Sequence, residues 1–263
     1  DVRAYGAIGN GVADDTAAIQ AAIDSVTPYT GVPSDLGTIG GKIIFFPPGV
    51  YLITSPLRLG KNNVQTFNYH LEGSGPYSTW LVWGGGINHG IIEIGRTDLG
   101  NMQHTTIRKL GFLNQATAGS GLTATRALQI DGIRLNSTGV TAGVGNLLIE
   151  ECQFRYLTNG ISNPSAAGIN NLTVRKCQFL SIYNQTNPVV DPATDALVNG
   201  RGNAIYFVGG SIPEGTYLYD NEAQVQAYFL DSPGGFGGLG GNGAVNLVMT
   251  MNTVVSQTAG FME

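Results

Sequence analysis

Two hydrophobic periods divide the chain. After Asp14-Asp15-Thr16, the apolar residues Ala18, Ile19, Ala22, Ile23 and Val26 recur at i, i+1, i+4, i+5 and i+8, the stripe of an amphipathic helix. The two aspartates and the threonine predict an N-cap and an acidic first turn, with the helix running to about Ser25. Beyond a Pro/Gly/Ser/Thr loop over 28–41, residues 42–46 (KIIFF) read as a buried strand. Pro47-Pro48-Gly49 turns the chain, and 50–54 (VYLIT) is a second strand that the helix can cover. From Asn68 onward the helical period disappears. Short strands punctuated by Gly, Asn and Ser replace it, at 69–72, 80–83, 91–94, 106–112, 128–135, 147–154, 172–179, 204–208, 217–219, 226–230 and 245–249. The expected organisation is a capping helix with a first coil over 1–67, then one continuous domain of coils over 68–263.

An internal repeat explains the strands. Asn146-Leu147-Leu148-Ile149-Glu150-Glu151-Cys152-Gln153-Phe154 aligns without gaps on Asn171-Leu172-Thr173-Val174-Arg175-Lys176-Cys177-Gln178-Phe179, at an offset of 25 residues. A weaker copy, Thr105 to Phe112, places Leu110 where the cysteines stand. Strand-bearing repeats of this length point to a β-solenoid whose laps stack at about 4.8 Å. Stacking predicts inward columns of Leu147 over Leu172, Ile149 over Val174, Cys152 over Cys177 and Phe154 over Phe179. Outside, Glu150 falls beside Arg175 and Glu151 beside Lys176, as opposite charges on neighbouring strands. A one-residue slip would lose both pairs and turn the apolar set outward. The helix would cover the open edge of the first lap. Parallel Cβ vectors on the two cysteines favour a reduced stack over a disulfide.

Composition narrows the classes. Only 12% of residues are charged, against about a quarter in ordinary domains, and 39 of 263 are glycine. That argues against helical bundles and coiled coils, while 42% hydrophobic residues argue against a disordered chain. A net charge of −5 with 13 Lys and Arg argues against nucleic acid as a partner, since phosphate binding needs a clustered basic face, and no apolar run approaches a membrane span. Asp1 is not an initiator methionine and no leader precedes it, so the chain reads as processed, truncated or cut from something larger.

The residues 2–20 (VRAYGAIGNGVADDTAAIQ), 40–51 (GGKIIFFPPGVY) and 71–75 (LEGSG) resemble the opening signature of the pectate-lyase-like superfamily. The resemblance implies an all-β fold, a right-handed single-stranded parallel β-helix with a short N-terminal capping α-helix. Its members include polygalacturonases, polysaccharide lyases, glucanases and bacteriophage tailspikes. The Asn-Thr-Asp, Asp-Asp and Gly-His-Gly motifs of polygalacturonases and the Trp-Ile-Asp-His motif of pectate lyases are absent, so no catalytic residue is carried over. What remains resembles a tailspike or surface depolymerase. It implies a bacterial surface polysaccharide as partner (capsule, O-antigen or exopolysaccharide), a homotrimer, an extracellular or virion-tail location, and no cofactor. Alternatives are a non-catalytic glycan-binding or structural spike and a secreted bacterial lyase or hydrolase.

Hydrolysis of a glycosidic bond needs two carboxylates across it, and elimination needs a base beside a cationic pocket. Glu150 and Glu151 have basic partners one lap away and read as structural. The acids from Asp191 to Asp231 lack such partners. There Asp220, Glu222 and Asp231 are the expected catalytic carboxylates, with Arg201, Tyr217, Tyr219 and Tyr228 expected to bind sugar, since pyranose faces stack on aromatic rings. His70, His89 and His104 have no metal-ligand spacing, so no metal is expected. Of Trp80 and Trp83, the strand period allows at most one to point outward. Residues 234–243 (GGFGGLGGNG) lack the Lys of a phosphate cradle and read as a surface loop.

Overall fold

A computed structural model describes residues 1–25, 42–60, 66–86, 89–94, 102–114, 130–135, 144–164, 169–182, 202–207, 214–225, 229–231 and 247–256. It is a right-handed parallel β-helix, in which every strand pairing among the described residues is parallel. Three sheets form its walls. The first holds Asn10–Asp14, Gly49–Ile53, Thr79–Trp83, Gly111–Asn114, Gln153–Arg155, Gln178–Ile182, Glu222–Val225 and Thr253–Ser256. The second runs through Ile43–Phe46, His70–Gly73, Thr106–Arg108, Val144–Glu150, Ile169–Arg175, Glu214–Tyr219 and Leu247–Thr250. The third comprises Leu57–Leu59, His89–Ile94, Ile130–Leu135, Asn159–Asn163, Asn203–Phe207 and Leu230–Asp231. Each lap visits the second, first and third sheets in turn.

The repeat places like residues in columns, in the register expected. Leu147 pairs with Leu172, Ile149 with Val174 and Glu150 with Arg175. The rings of Phe112, Phe154 and Phe179 stack face to face, with centroids 4.9 and 4.8 Å apart. Opposite them the third sheet carries Gly132 and Gly160, where a Cβ would fall 2.5 Å from Phe154 and 2.3 Å from Phe179. Outside, Glu150 binds Arg175 at 2.8 Å and Glu151 meets Lys176 at 4.0 Å. The same arrangement recurs earlier, where Glu72 accepts from both Arg108 and Lys109. Burial alone would raise the Glu72 carboxyl, but these two hydrogen bonds outweigh it and hold it below the usual carboxylate range.

One expectation needs correction. The nine-residue repeat is not one strand but two, broken between the second and first sheets. The inward residues 147, 149, 152 and 154 step by two, three and two, and the step of three requires a corner. Lys109, Glu151, Lys176, Asp220 and Met251 occupy it in successive laps, each left-handed with φ between 51° and 57°. The next residue points inward: Leu110, Cys152 and Cys177, then Asn221, then the partly buried Asn252. Cys152 and Cys177 are free, buried thiols whose sulfurs face carbonyls of their own and the preceding lap. Asn221 does the same with an amide, accepting from Cys177 N and donating to Val174 O, both at 3.0 Å. Of the strand expected at 226–230, residues 226–228 lie outside the described residues, which show strands at Glu222–Val225 and Leu230–Asp231.

The N-terminal helix, α1, spans Thr16–Asp24 and buries Ile19, Ala22 and Ile23. Val26 lies outside the described residues. Asp15 stands at the N-cap without capping the helix. Its carboxylate accepts instead from Ile8 N at 2.6 Å and Gly9 N at 3.0 Å, tying a 3-10 turn at Val2–Tyr5 to the first lap. Asp14 belongs to the strand before it and accepts from Thr16 and Thr54.

Candidate functional site

Alternation along the third sheet turns Ile92, Ile94, Ile133, Leu135, Ile161 and Ile205 into the core. The residues between them face outward and form a column one residue per lap: Arg58, Glu93, Arg134, Ser162 and Tyr206. Gly132 and Ile133 both face inward, so Asp131 joins Arg134 on the outer side. An outward column in a β-helix is ordinarily wet, but here Glu93 is 5% exposed, Asp131 3% and Ser162 1%. Ionisable groups this far from water on the outside of a sheet mark a site rather than a solvated wall.

The two carboxylates are held unequally. Asp131 accepts from Asn159 Nδ2 at 3.0 Å, Ser162 Oγ at 2.6 Å, and the Nε and terminal nitrogen of Arg134 at 3.0 and 2.9 Å. Four donors hold it in one orientation. Among the described residues Glu93 has longer contacts: Arg58 Nε at 3.6 Å, His89 Nδ1 at 3.3 Å and Gly90 N at 3.4 Å. It is buried but more loosely held than Asp131. Water reaches the cluster through the side chains of Arg58 (46% exposed) and His89 (40%). Arg58 also lines a cavity of about 440 Å³ beside α1, together with Asp14, Thr16, Gln20, Asp24 and Thr54. Two arginines and a histidine beside paired carboxylates can transfer protons at a glycosidic oxygen or neutralise an acidic sugar.

The residues expected from sequence are divided among three faces. Asp231 pairs with Tyr206 on the third sheet. Tyr217 and Tyr219 stack on each other on the outer side of the second sheet, with centroids 6.2 Å apart. Asp220 is the exposed left-handed corner residue, in the position that Lys176 and Glu151 occupy in earlier laps. Glu222 lies exposed on the first sheet and accepts from Gln178 Nε2 at 3.0 Å. Arg201 and Tyr228 lie outside the described residues. Of the tryptophans, Trp83 is fully buried and Trp80 partly exposed, as the period requires. Glu93, Asp131 and Arg134 went unread in the sequence, although each interrupts an apolar run (IIEI and IDGIRL) where a charge has no packing role. Among the described residues no cluster of three metal-ligating side chains occurs.

The family model described as rhamnogalacturonase A/epimerase, pectate lyase-like, matches residues 1–210. The chain belongs to that family. This rhamnogalacturonase A/epimerase-type chain is 37% identical over 93 residues to the non-secreted LysM effector LysM19 of Penicillium expansum, a match covering 35% of this chain and 7% of that protein. It is 40% identical over 57 residues to a probable glucan endo-1,3-beta-glucosidase of Arthroderma benhamiae, covering 22% and 6%. The chain thus spans under a tenth of the curated relatives it matches. Among solved structures it superposes on PfbA, a surface adhesin of Streptococcus pneumoniae, with a TM-score of 0.56 at 16% identity, covering 96% of this chain and 62% of that one. That likeness establishes the fold.

Proposed function

We propose that this chain binds a polysaccharide across the outward face of the third sheet and depolymerises it there. The observation that carries the reading is the pair of buried, unequally held carboxylates, Glu93 and Asp131, on neighbouring strands of one face. In it Glu93 transfers the proton, Asp131 holds Arg134 in place, and Arg58 and His89 form the rim that meets the sugar. Asp231 takes the register position after Tyr206 on this sheet, whereas Asp220 and Glu222 stand on other faces. A family described by a polysaccharide-acting name, and a glucanase among the relatives, support the substrate class. The proposed setting is extracellular, on a virion tail appendage as a homotrimer binding a bacterial surface glycan. That setting rests on the opening signature, and light scattering of the purified chain tests the assembly.

The decisive experiment incubates the protein with capsular, O-antigen and exopolysaccharide preparations. New reducing ends report hydrolysis, and the ultraviolet absorbance of an unsaturated product reports elimination. Glu93→Gln is expected to lower turnover by roughly 10²–10⁴-fold, the usual worth of a general acid or base, while leaving glycan binding in place. Wild-type turnover by Glu93→Gln overturns the assignment.

A further inference from the structure

The first sheet carries a second polar strip, on a different wall from the third-sheet cluster. Its outward column runs Trp80, Gly111, Gln153, Gln178, Glu222. Gln178 donates its Nε2 to the Glu222 carboxylate at 3.0 Å and presents Oε1 to the next lap. Gln153 must then donate its own Nε2 to that Oε1, also at 3.0 Å. The carboxylate thereby sets the direction of the whole amide ladder, and the acceptor left over is Gln153 Oε1. It is buried without a hydrogen-bond partner, on a residue 1% exposed.

Arg155 stands two residues along the same strand, with Phe154 turned inward between them. Its neighbours in the adjoining laps are Leu113 and Leu180, which offer no counter-charge. The guanidinium rests over the Tyr156 ring at 5.5 Å, and its Nε is a second buried atom without a partner. A native fold leaves few such groups, because burying one unsatisfied is unfavourable unless something outside the chain satisfies it. Here an orphan acceptor and an orphan donor belong to two residues on one face whose backbone positions lie about 7 Å apart along the strand. Beside them Trp80 lies against Gly111, where a Cβ would fall 2.5 Å from the indole, so the ring sits flat on the strip. Tyr77, 67% exposed, lies in the turn before Trp80, three laps from Gln178, and crosses the strip to donate its hydroxyl to Gln178 Oε1.

We infer that this strip is a separate, non-catalytic subsite for one pyranose unit of a polysaccharide. A sugar hydroxyl donates to Gln153 Oε1, a neighbouring sugar oxygen accepts from Arg155 Nε, and the apolar face of the ring stacks on Trp80. Tyr77 holds the place of a sugar hydroxyl on Gln178 and swings out on binding. The site stands independently of the third-sheet reading.

Its test uses the Glu93→Gln protein, in which turnover does not interfere, titrated with cellohexaose, laminarihexaose and N-acetylchitohexaose. Tryptophan fluorescence is the readout, taken as the part of the change that Trp80→Phe abolishes, because Trp83 lies 6.0 Å from His89 of the third-sheet cluster and reports that site. At least one oligosaccharide is expected to shift the emission. Arg155→Lys, which keeps the charge and removes Nε, is expected to weaken that binding at least tenfold, and Gln153→Leu to do the same. Should Gln153→Leu fail to fold, Arg155→Lys decides alone. No emission change with any of the three sugars, or a wild-type titration by Arg155→Lys, overturns the inference.

Discussion

Gly160→Ala places one methyl group where the stacked rings leave no space. The new Cβ would lie 2.3 and 2.4 Å from two carbons of Phe179 and 2.7 Å from the Ala204 carbonyl oxygen, where ordinary contacts begin at 3.4 Å. Phe179 must therefore retreat by about 1 Å. It has nowhere to go, being stacked on Phe154 at 4.8 Å and set edge-on to Phe229 at 6.2 Å. Overpacking of this kind costs about 1–3 kcal/mol. Removing a glycine from the unfolded chain returns about 0.4–1 kcal/mol. The net expectation is a loss of about 1–2 kcal/mol, read as a lower urea midpoint at unchanged slope. Gly86→Ala is the control, because nothing lies within 4 Å of its added Cβ. It should stay within about 0.5 kcal/mol of wild type. Phe179→Leu in the Gly160→Ala background should cost less than Phe179→Leu alone, since the shorter side chain relieves the clash. A Gly160→Ala protein as stable as wild type would refute the stacked-ring packing.

Further outcomes follow from the corner and the titrating groups. Asn221→Ala should cost about 1–3 kcal/mol by stranding the buried Cys177 amide, measurable by urea denaturation. Burial, and then the adjoining Cys152, push the Cys177 thiol well up, so neither cysteine should react with a thiol reagent until denaturant is added. Acid should destabilise the protein in two stages. Burial, helped by Arg108, holds His70 below its ordinary value, so the unfolded chain takes up that proton first and stability falls as pH drops through about 6.5. Glu72 is also depressed, so its contribution is present above about 4.3 and is lost as pH falls through its lower folded value. His70→Gln should remove the first stage and Glu72→Gln should blunt the second. Midpoints that rise between pH 7 and 5 would contradict this.

The fold was legible because the repeat is a physical constraint that leaves a trace in one dimension. Cys152-Gln153-Phe154 and Cys177-Gln178-Phe179 must fill the same slot in successive laps, and Glu150 with Arg175 must neutralise each other across them. The corner was readable in principle from the step of three between Ile149 and Cys152, but a left-handed Glu or Lys has no signature of its own. The site was harder. Asp220 drew notice as an acid without a basic neighbour in sequence, yet its register makes it the successor of Lys176 at a turn. Glu93 and Asp131 lie 38 positions apart in laps of unequal length, with no repeat to align them. Their shared face exists only once Ile92 is paired with Ile133. The amide ladder from Glu222 to Gln153 likewise spans laps 25 and 44 residues long.

Hydrogen exchange read by mass spectrometry, on Glu93→Gln with and without a polysaccharide that wild type degrades, tests the central claim most directly. Protection should appear in the strands His89–Ile94, Ile130–Leu135 and Asn159–Asn163, which carry the third-sheet cluster. Protection confined to the second-sheet strands Ile169–Arg175 and Glu214–Tyr219, with the third sheet unchanged, would contradict it.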